Sequence, residues 1–227
     1  MSYSGEVLAD SPLVYFRMPR SPSNIIYSQG SKQAALCVQS ATTVGAYTGV
    51  TPDAGSIVAA TQYQSIFGGA IPKPYSLECW AWTSHQGSAA LVGSFLTANP
   101  DQDAGANPFG LIWVGPSQFK SQQPASGGVV TATRTPMAWA HLVVTVDGTN
   151  LILYVNGSSA GSTADHTTLN SFSTQVITNV SGFNNGIWVA EIAFYTVALS
   201  SGRVAAHHSA GSTGSPPMPI SGLASCS

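Results

Sequence analysis

The sequence predicts an all-β protein, an antiparallel β-sandwich that carries one short C-terminal helix and a flexible tail. Three observations lead there. The stretch WAHLVVTVDGTNLILYVNGSSAGS, residues 139–162, reads as strand, turn, strand, turn, strand, with hardly a charge in it. Short apolar runs recur along the chain between clusters of Gly, Pro, Asn and Ser. Helical periodicity is almost absent.

Strands are expected over 12–18, 56–60, 75–83, 89–96, 109–114, 127–132, 138–147, 150–156, 175–181 and 186–196. In HLVVTVDG, Leu142, Val144 and Val146 point one way while Val143 and Thr145 point the other. Asp147-Gly148 and Asn156-Gly157 tolerate positive φ, so both ends of the middle strand are expected to be hairpin turns. The run GIWVAEIAFYTVALS is apolar at both parities, which suits a strand buried on both faces, inside a sandwich or under a partner. ALSSGRVAAHH is the one expected helix, capped by Ser200 or Ser201, with Val204 and Ala205 packing inward. From 209 the chain is rich in Gly, Ser and Pro without a period. One domain is therefore expected over 1–208, followed by a tail or docking arm over 209–227.

Composition excludes several functions. With 227 residues the chain can bury a real core. Charged residues make up 7%, against roughly a quarter in ordinary soluble domains. The net charge of −2 with scattered Lys and Arg leaves no basic footprint, so no nucleic-acid partner is expected. The surface must be built from Ser, Thr, Asn, Gln and Gly, which suits packing into an assembly or facing neutral sugars. Cys37, Cys79 and Cys226 are odd in number and widely spaced, so no disulfide framework is expected, and Cys79 reads as a buried thiol. The opening MSYSGEVLADSPLVYF lacks a basic start followed by an apolar run, so no secretory signal is expected. No stretch approaches the ~20 apolar residues of a bilayer span, so no membrane insertion is expected.

Four pieces together resemble the laminin-G-like, concanavalin A-like jelly-roll family. VLADSPLVYFRM (7–18) is similar to the family's opening turn and strand, YSLECWAW (75–82) to its aromatic strand with a central Glu, WAHLVVTVDGTNLILYVNG to its Trp-x-His strand and Tyr-Val-Asn-Gly hairpin, and GIWVAEIAFYTVALSSGRVAAHHSAG to its closing strand and helix start. Order and spacing agree over nearly residues 7 to 211. Ala190 stands where the family usually has Asp, and Phe16 where it opens with Trp. The resemblance implies a jelly roll, mainly a binding fold with some glycoside hydrolase relatives.

Catalysis is not expected. Glycoside hydrolysis needs two carboxyls about 5 to 9.5 Å apart across one sugar, and the chain has three Glu, Glu6, Glu78 and Glu191, of which the two on expected strands, Glu78 and Glu191, have no carboxylate two or four residues away. Glu78 and Glu191 are expected to satisfy backbone or Trp N–H groups, and His141 to be a satisfied core or rim histidine. His207 and His208 point about 100° apart on a helix and make a poor chelating pair. Asp101, Asp103 and Asn107 alternate around Gly105, so this loop is the candidate calcium site, although it lacks the sixth-position Gly and twelfth-position Glu of an EF-hand. Trp80 and Trp82 share a strand face and could form a flat sugar platform; Trp113, Trp188, Asn184 and Asn185 are further candidate ligand contacts.

The expected function is a non-enzymatic virion structural protein, a bacteriophage capsid decoration or tail or fibre accessory, assembled in the host cytoplasm. Its expected partners are other virion proteins, copies of itself and host-surface glycans. The alternative is a stand-alone carbohydrate-binding module or adhesin, and a third reading is a glycoside hydrolase.

Overall fold

The computed structural model describes residues 2–17, 25–33, 35–38, 47–48, 55–58, 63–65, 73–83, 89–94, 112–114, 118–122, 128–135, 138–165, 174–178 and 187–212. Strand β1 (Val14–Phe16) follows a first helix, α1 (Tyr3–Ala9). Then come β2 (Ile25–Tyr27), β3 (Ala35–Val38), β4 (Tyr47–Thr48), β5 (Gly55–Val58), β6 (Tyr63–Ser65), β7 (Tyr75–Thr83) and β8 (Ala89–Ser94). After these come β9 (Ile112–Val114), β10 (Gln118–Gln122), β11 (Val129–Thr133), β12 (Trp139–Val146), β13 (Asn150–Val155), β14 (Ser158–Ala164), β15 (Thr174–Thr178), β16 (Ile187–Tyr195) and α2 (Ser201–Ser212). The strands form two antiparallel sheets, as the sequence predicts. One runs β14-β13-β12-β7-β16-β5-β4 with β1 also on β16, and the other β11-β10-β9-β8-β15-β6-β3-β2.

The meander of the first sheet forms for local reasons. Asn156 (φ 51°) and Gly157 (φ 79°), both in the left-handed region, make the two-residue turn between β13 and β14, whose twist matches the right-handed twist of the strands it joins. Asp147 accepts from the backbone N–H groups of Thr149 and Asn150, both at 2.7 Å, and so fixes the β12–β13 turn.

Register then decides which residues meet. On β7, Glu78 lies opposite Val143 of β12 and Ala193 of β16, and Trp80 opposite His141 and Ala190. Alternation puts Ser76, Glu78, Trp80 and Trp82 on one face, with Trp139, His141, Val143 and Thr145 beside them. The opposite face carries Leu77, Cys79, Leu142, Val144, Val146, Leu151 and Leu153, all with no solvent exposure, and forms the sandwich interior. Each such aliphatic side chain contributes about 1.5–3 kcal/mol on burial.

The first face is covered as well, by the chain's own ends. Helices α1 and α2 pack together over it, and Tyr3, Val7, Trp80, Val143, Tyr154, Tyr195, Leu199 and Val204 form one buried cluster. Of the two readings of the doubly apolar last strand, inside a sandwich or under a partner, the described part fits the first: Ala190, Ala193 and Tyr195 are buried in this cluster within the chain. Helix α1 is not expected from the sequence, since seven residues with an internal Gly5 give barely two turns. It holds because Ser2 Oγ caps Gly5 N–H at 3.2 Å and Tyr3 and Val7 bury one stripe. The domain boundary expected at 208 is also corrected, because α2 continues to Ser212 and Gly211 is buried. Residues 213–227 of the expected tail lie outside the described residues. The unexpected strands β2, β3, β4, β6 and β10 are two to five residues long, too short for alternation to declare them.

Helix α2 starts where expected, with Ser200 Oγ accepting from Arg203 N–H at 3.3 Å. Its far end rests on Trp80. A methyl group at Gly211 would come within 2.3 Å of Trp80 Cζ2 and 3.1 Å of Tyr3 Cδ2. Gly211→Ala is therefore expected to lower stability by about 1–3 kcal/mol through overpacking, despite alanine's better helix propensity. Urea unfolding checks this, and an unchanged midpoint would show that α2 does not seat on Trp80.

Candidate functional site

The most polar place in the described structure is also among the driest. Glu78, at the middle of the central strand, has no solvent exposure. Tyr3 of α1 donates its hydroxyl to Glu78 Oε1 at 2.7 Å, and Tyr195 of β16 donates to Oε2 at 2.6 Å. His141 Nε2 lies 2.6 Å from Oε1, and His207 Nδ1 of α2 lies 3.1 and 3.0 Å from the two oxygens. One carboxylate thus gathers donors from both helices and from strands on either side of it. Burial alone pushes the Glu78 carboxyl up, but the hydrogen bonds and attraction of His141 and His207 outweigh it and hold the group well below the usual carboxylate range. Burial first, then the neighbouring Glu78 charge, raises the Tyr3 and Tyr195 hydroxyls well above their ordinary value, so both stay donors.

The network reaches the surface through Asp10, the C-cap of α1. Asp10 Oδ2 lies 3.0 Å from His207 Nε2 and 2.9 Å from Arg203 Nε. Arg203 Nη2 also meets Glu6 Oε2 at 2.9 Å, so one guanidinium on α2 holds two carboxylates of α1.

Glu191 is a second, smaller centre. It sits at φ 55° in the bulge where β16 changes register against β7 between Ala190 and Ala193. The bulge re-aims its side chain, which accepts a short hydrogen bond from the Tyr15 hydroxyl and has Arg17 Nε 3.5 Å from Oε1. Burial, then Glu191 itself, raises the Tyr15 hydroxyl.

The expected site residues fall unevenly. Trp80 and Trp82 do share a face, but they are 3% and 5% exposed. The open sugar platform expected of them is therefore corrected: α2 and α1 lie on that face, with Tyr3 edge-on to Trp80 at 5.9 Å and His208 stacked on it at 5.8 Å. Trp113 and Trp188 lie in β9 and β16. Asn184, Asn185, Asp101, Asp103 and Asn107 lie outside the described residues. Among the described residues, no group of three or more His, Cys, Asp or Glu could hold a metal ion. Cys79 is buried and free, its thiol pushed up by burial. His141 is the core histidine expected, with Nε2 on Glu78, but its buried Nδ1 finds no hydrogen-bond partner among the described residues. Glu78 is satisfied, but by tyrosine hydroxyls and imidazoles rather than by backbone or Trp N–H groups. Tyr3, Asp10, Tyr195, Arg203 and the inward role of His207 were not found from the sequence. The one available signal was the angle between His207 and His208, which sends the two rings to different neighbours, His207 to Glu78 and His208 to Trp80.

This fold and these residues define a lectin-type sandwich. The sequence profile described as Concanavalin A-like lectin/glucanases superfamily, a laminin G type, matches residues 52–205, and the chain belongs to that family. No curated protein matches the chain. Solved structures that share the fold include the binding domain of botulinum neurotoxin serotype D, at TM-score 0.64 and 12% identity over 90% of this chain and 52% of that one. The receptor binding domain of botulinum neurotoxin type G is similar at TM-score 0.61 and 11% identity, over 88% and 51%. The sialidase of Trypanosoma rangeli is similar at TM-score 0.59 and 12% identity, over 87% and 32%. The chain thus spans about half the length of the neurotoxin domains and a third of the sialidase. No helix among the described residues is long and apolar enough to cross a membrane.

Glu78→Gln should cost about 3–5 kcal/mol, because it leaves a buried positive partner uncompensated and turns one acceptor oxygen into a donor. The Glu78 carboxyl is depressed in the folded state, so its contribution is present above the ordinary carboxylate range and fades as pH falls toward the folded value. Chemical unfolding from neutral to acid pH should therefore show a steeper loss for the wild type than for the variant. Parallel curves would show that Glu78 is not ionised in the fold.

Proposed function

We propose that this chain is a non-catalytic carbohydrate-binding domain. The observation that carries this reading is the use already made of the described carboxylates. Glu78 and Glu191 are buried under tyrosine hydroxyls, Glu6 and Asp10 hold Arg203, Asp147 closes a turn, and Asp165 pairs with Lys73. Each is engaged in holding the fold, and hydrolysis of a glycosidic bond requires two that face a sugar. Family membership supports a sugar ligand, and the receptor-binding role in the neurotoxin domains' names supports a binding use of this fold. With Trp80 and Trp82 in the core, the ligand contacts fall to the other candidates, Trp113, Asn184, Asn185 and Trp188. Asp101, Asp103 and Asn107 remain the candidate calcium ligands, as alternating oxygen side chains suit a hard cation.

The charge-poor composition, 7% Asp, Glu, Lys and Arg, supports a finer setting: a virion surface component, a capsid decoration or tail or fibre accessory, packed against other virion proteins and copies of itself. Light scattering of the full chain should then give a stable oligomer, and a monomer at all concentrations would count against that setting.

The binding reading is tested on a glycan array, with calcium and with EDTA, followed by prolonged incubation with the glycans bound. Saturable binding without release of any sugar is expected. Steady release of product would make the chain an enzyme, and silence of the folded protein across the array would remove carbohydrate as the ligand.

A further inference from the structure

His207 is held on both sides by acids. Its ring has no solvent exposure, its Nδ1 lies 3.0 Å from Glu78 Oε2, and its Nε2 lies 3.0 Å from Asp10 Oδ2. A carboxylate oxygen only accepts, so each nitrogen must carry a hydrogen to make both contacts favourable. A neutral imidazole carries one hydrogen, and its other nitrogen would turn a lone pair toward a lone pair. Arg203 Nη2 stands farther from Nε2, at 3.4 Å, and could donate to a bare nitrogen there, but that arrangement would leave the closer Asp10 contact repulsive. The ring that satisfies all the distances is the imidazolium.

The groups around it come from every element it touches. Asp10 and Tyr3 face it from α1 and its cap, Arg203 from its own helix with Glu6 of α1 on that guanidinium, Glu78 from β7 and Tyr195 from β16; His141 of β12 shares Glu78 with it. Two carboxylates of separate elements, Glu78 on the sheet and Asp10 on α1, are thus joined through one proton-dependent cation on α2. Without that charge, α2 keeps Val204, Leu199 before it and the Gly211 seat on Trp80, but it must then bury Glu78 against an imidazole with one donor.

We infer that α1 and α2 form a pH-sensitive latch on the outer face of the first sheet, closed by the His207 imidazolium between Glu78 and Asp10 and loosened when His207 loses its proton. The sign follows from the geometry. Burial alone lowers the His207 value, but Glu78 and Asp10 outweigh it and raise the folded value above the ordinary one. A raised histidine supplies stability that is complete below the ordinary histidine range and is lost as pH rises through the folded value. The latch is therefore tight in mild acid and weakens toward alkaline pH. Loosening would uncover Trp80, Tyr154 and Val143, an aromatic and aliphatic strip of the sheet.

Two measurements on the full chain test this. Long-range proton–nitrogen NMR of the histidine rings should show both nitrogens of His207 protonated near neutral pH. Hydrogen exchange of residues 201–212, corrected for the intrinsic pH dependence, should show the opening constant rising about tenfold per pH unit from about 6.5 up to the folded value, the limit for one linked proton. Amides of β12 and β13 should not follow. His207→Gln should make the opening of 201–212 independent of pH over that range, and Asp10→Asn should move the upper end of the rise downward. A singly protonated His207 ring near neutral pH, or a wild-type opening that does not change with pH, would overturn the latch. So would a rise that persists in His207→Gln. Should that variant fail to fold, the ring spectrum and the wild-type exchange profile still decide the matter.

Discussion

A carboxylate with no access to water sits at the centre of this protein, and the outer layer of the fold is arranged around it. Leaving Glu78 unpaired in such a place would cost several kcal/mol. The chain avoids that cost by bringing donors from four places far apart in sequence: Tyr3, His141, Tyr195 and His207. Each of those residues must be in position for the others to be tolerated. The central sheet fixes His141 and Tyr195 by register, so what remains variable is the docking of the two helices. Polar satisfaction thus dictates where α1 and α2 go, and apolar contacts with Trp80, Val143 and Tyr154 give that placement its strength.

This arrangement bears on function by closing a surface. The strand face that carries alternating Glu and Trp looks, in sequence, like a place to stack a sugar. In the folded chain it is an internal layer, roofed by the helices and sealed by the Arg203 contacts with Glu6 and Asp10. Family membership supplies the fold and the expectation of a sugar-related ligand. The details of the covered face argue that whatever the chain recognises is met elsewhere on its surface.

How much of this the sequence disclosed depends on the range of the interactions. The meander over 139–162 was legible because alternation and Asn-Gly turn chemistry are local, and the two-sided burial of β16 was legible because its apolar residues occur at both parities. The laminin-G resemblance added order and spacing, and so the sandwich itself. What covers β16 was not legible. Helix α1 is short and carries Gly5, and the pairing of its Tyr3 with Glu78 spans 75 residues with no local trace. Trp80 and Trp82 were compatible with a platform as well as with the commoner core placement, because parity assigns residues to a common face without saying whether that face is wet. Glu191 kept its bulge hidden, since a positive φ at a glutamate leaves no mark in composition or period.

The claim on which the rest depends is that Glu78 and His207 act as one unit joining sheet to helix. A double-mutant cycle of unfolding free energies, using Glu78→Gln, His207→Gln and the pair, measures it directly. The account predicts a coupling of about 1–3 kcal/mol, with the double variant more stable than the two single losses would give if added. Strict additivity would mean that the two side chains are neighbours without an energetic bond, and would contradict the claim that they join sheet to helix as one unit.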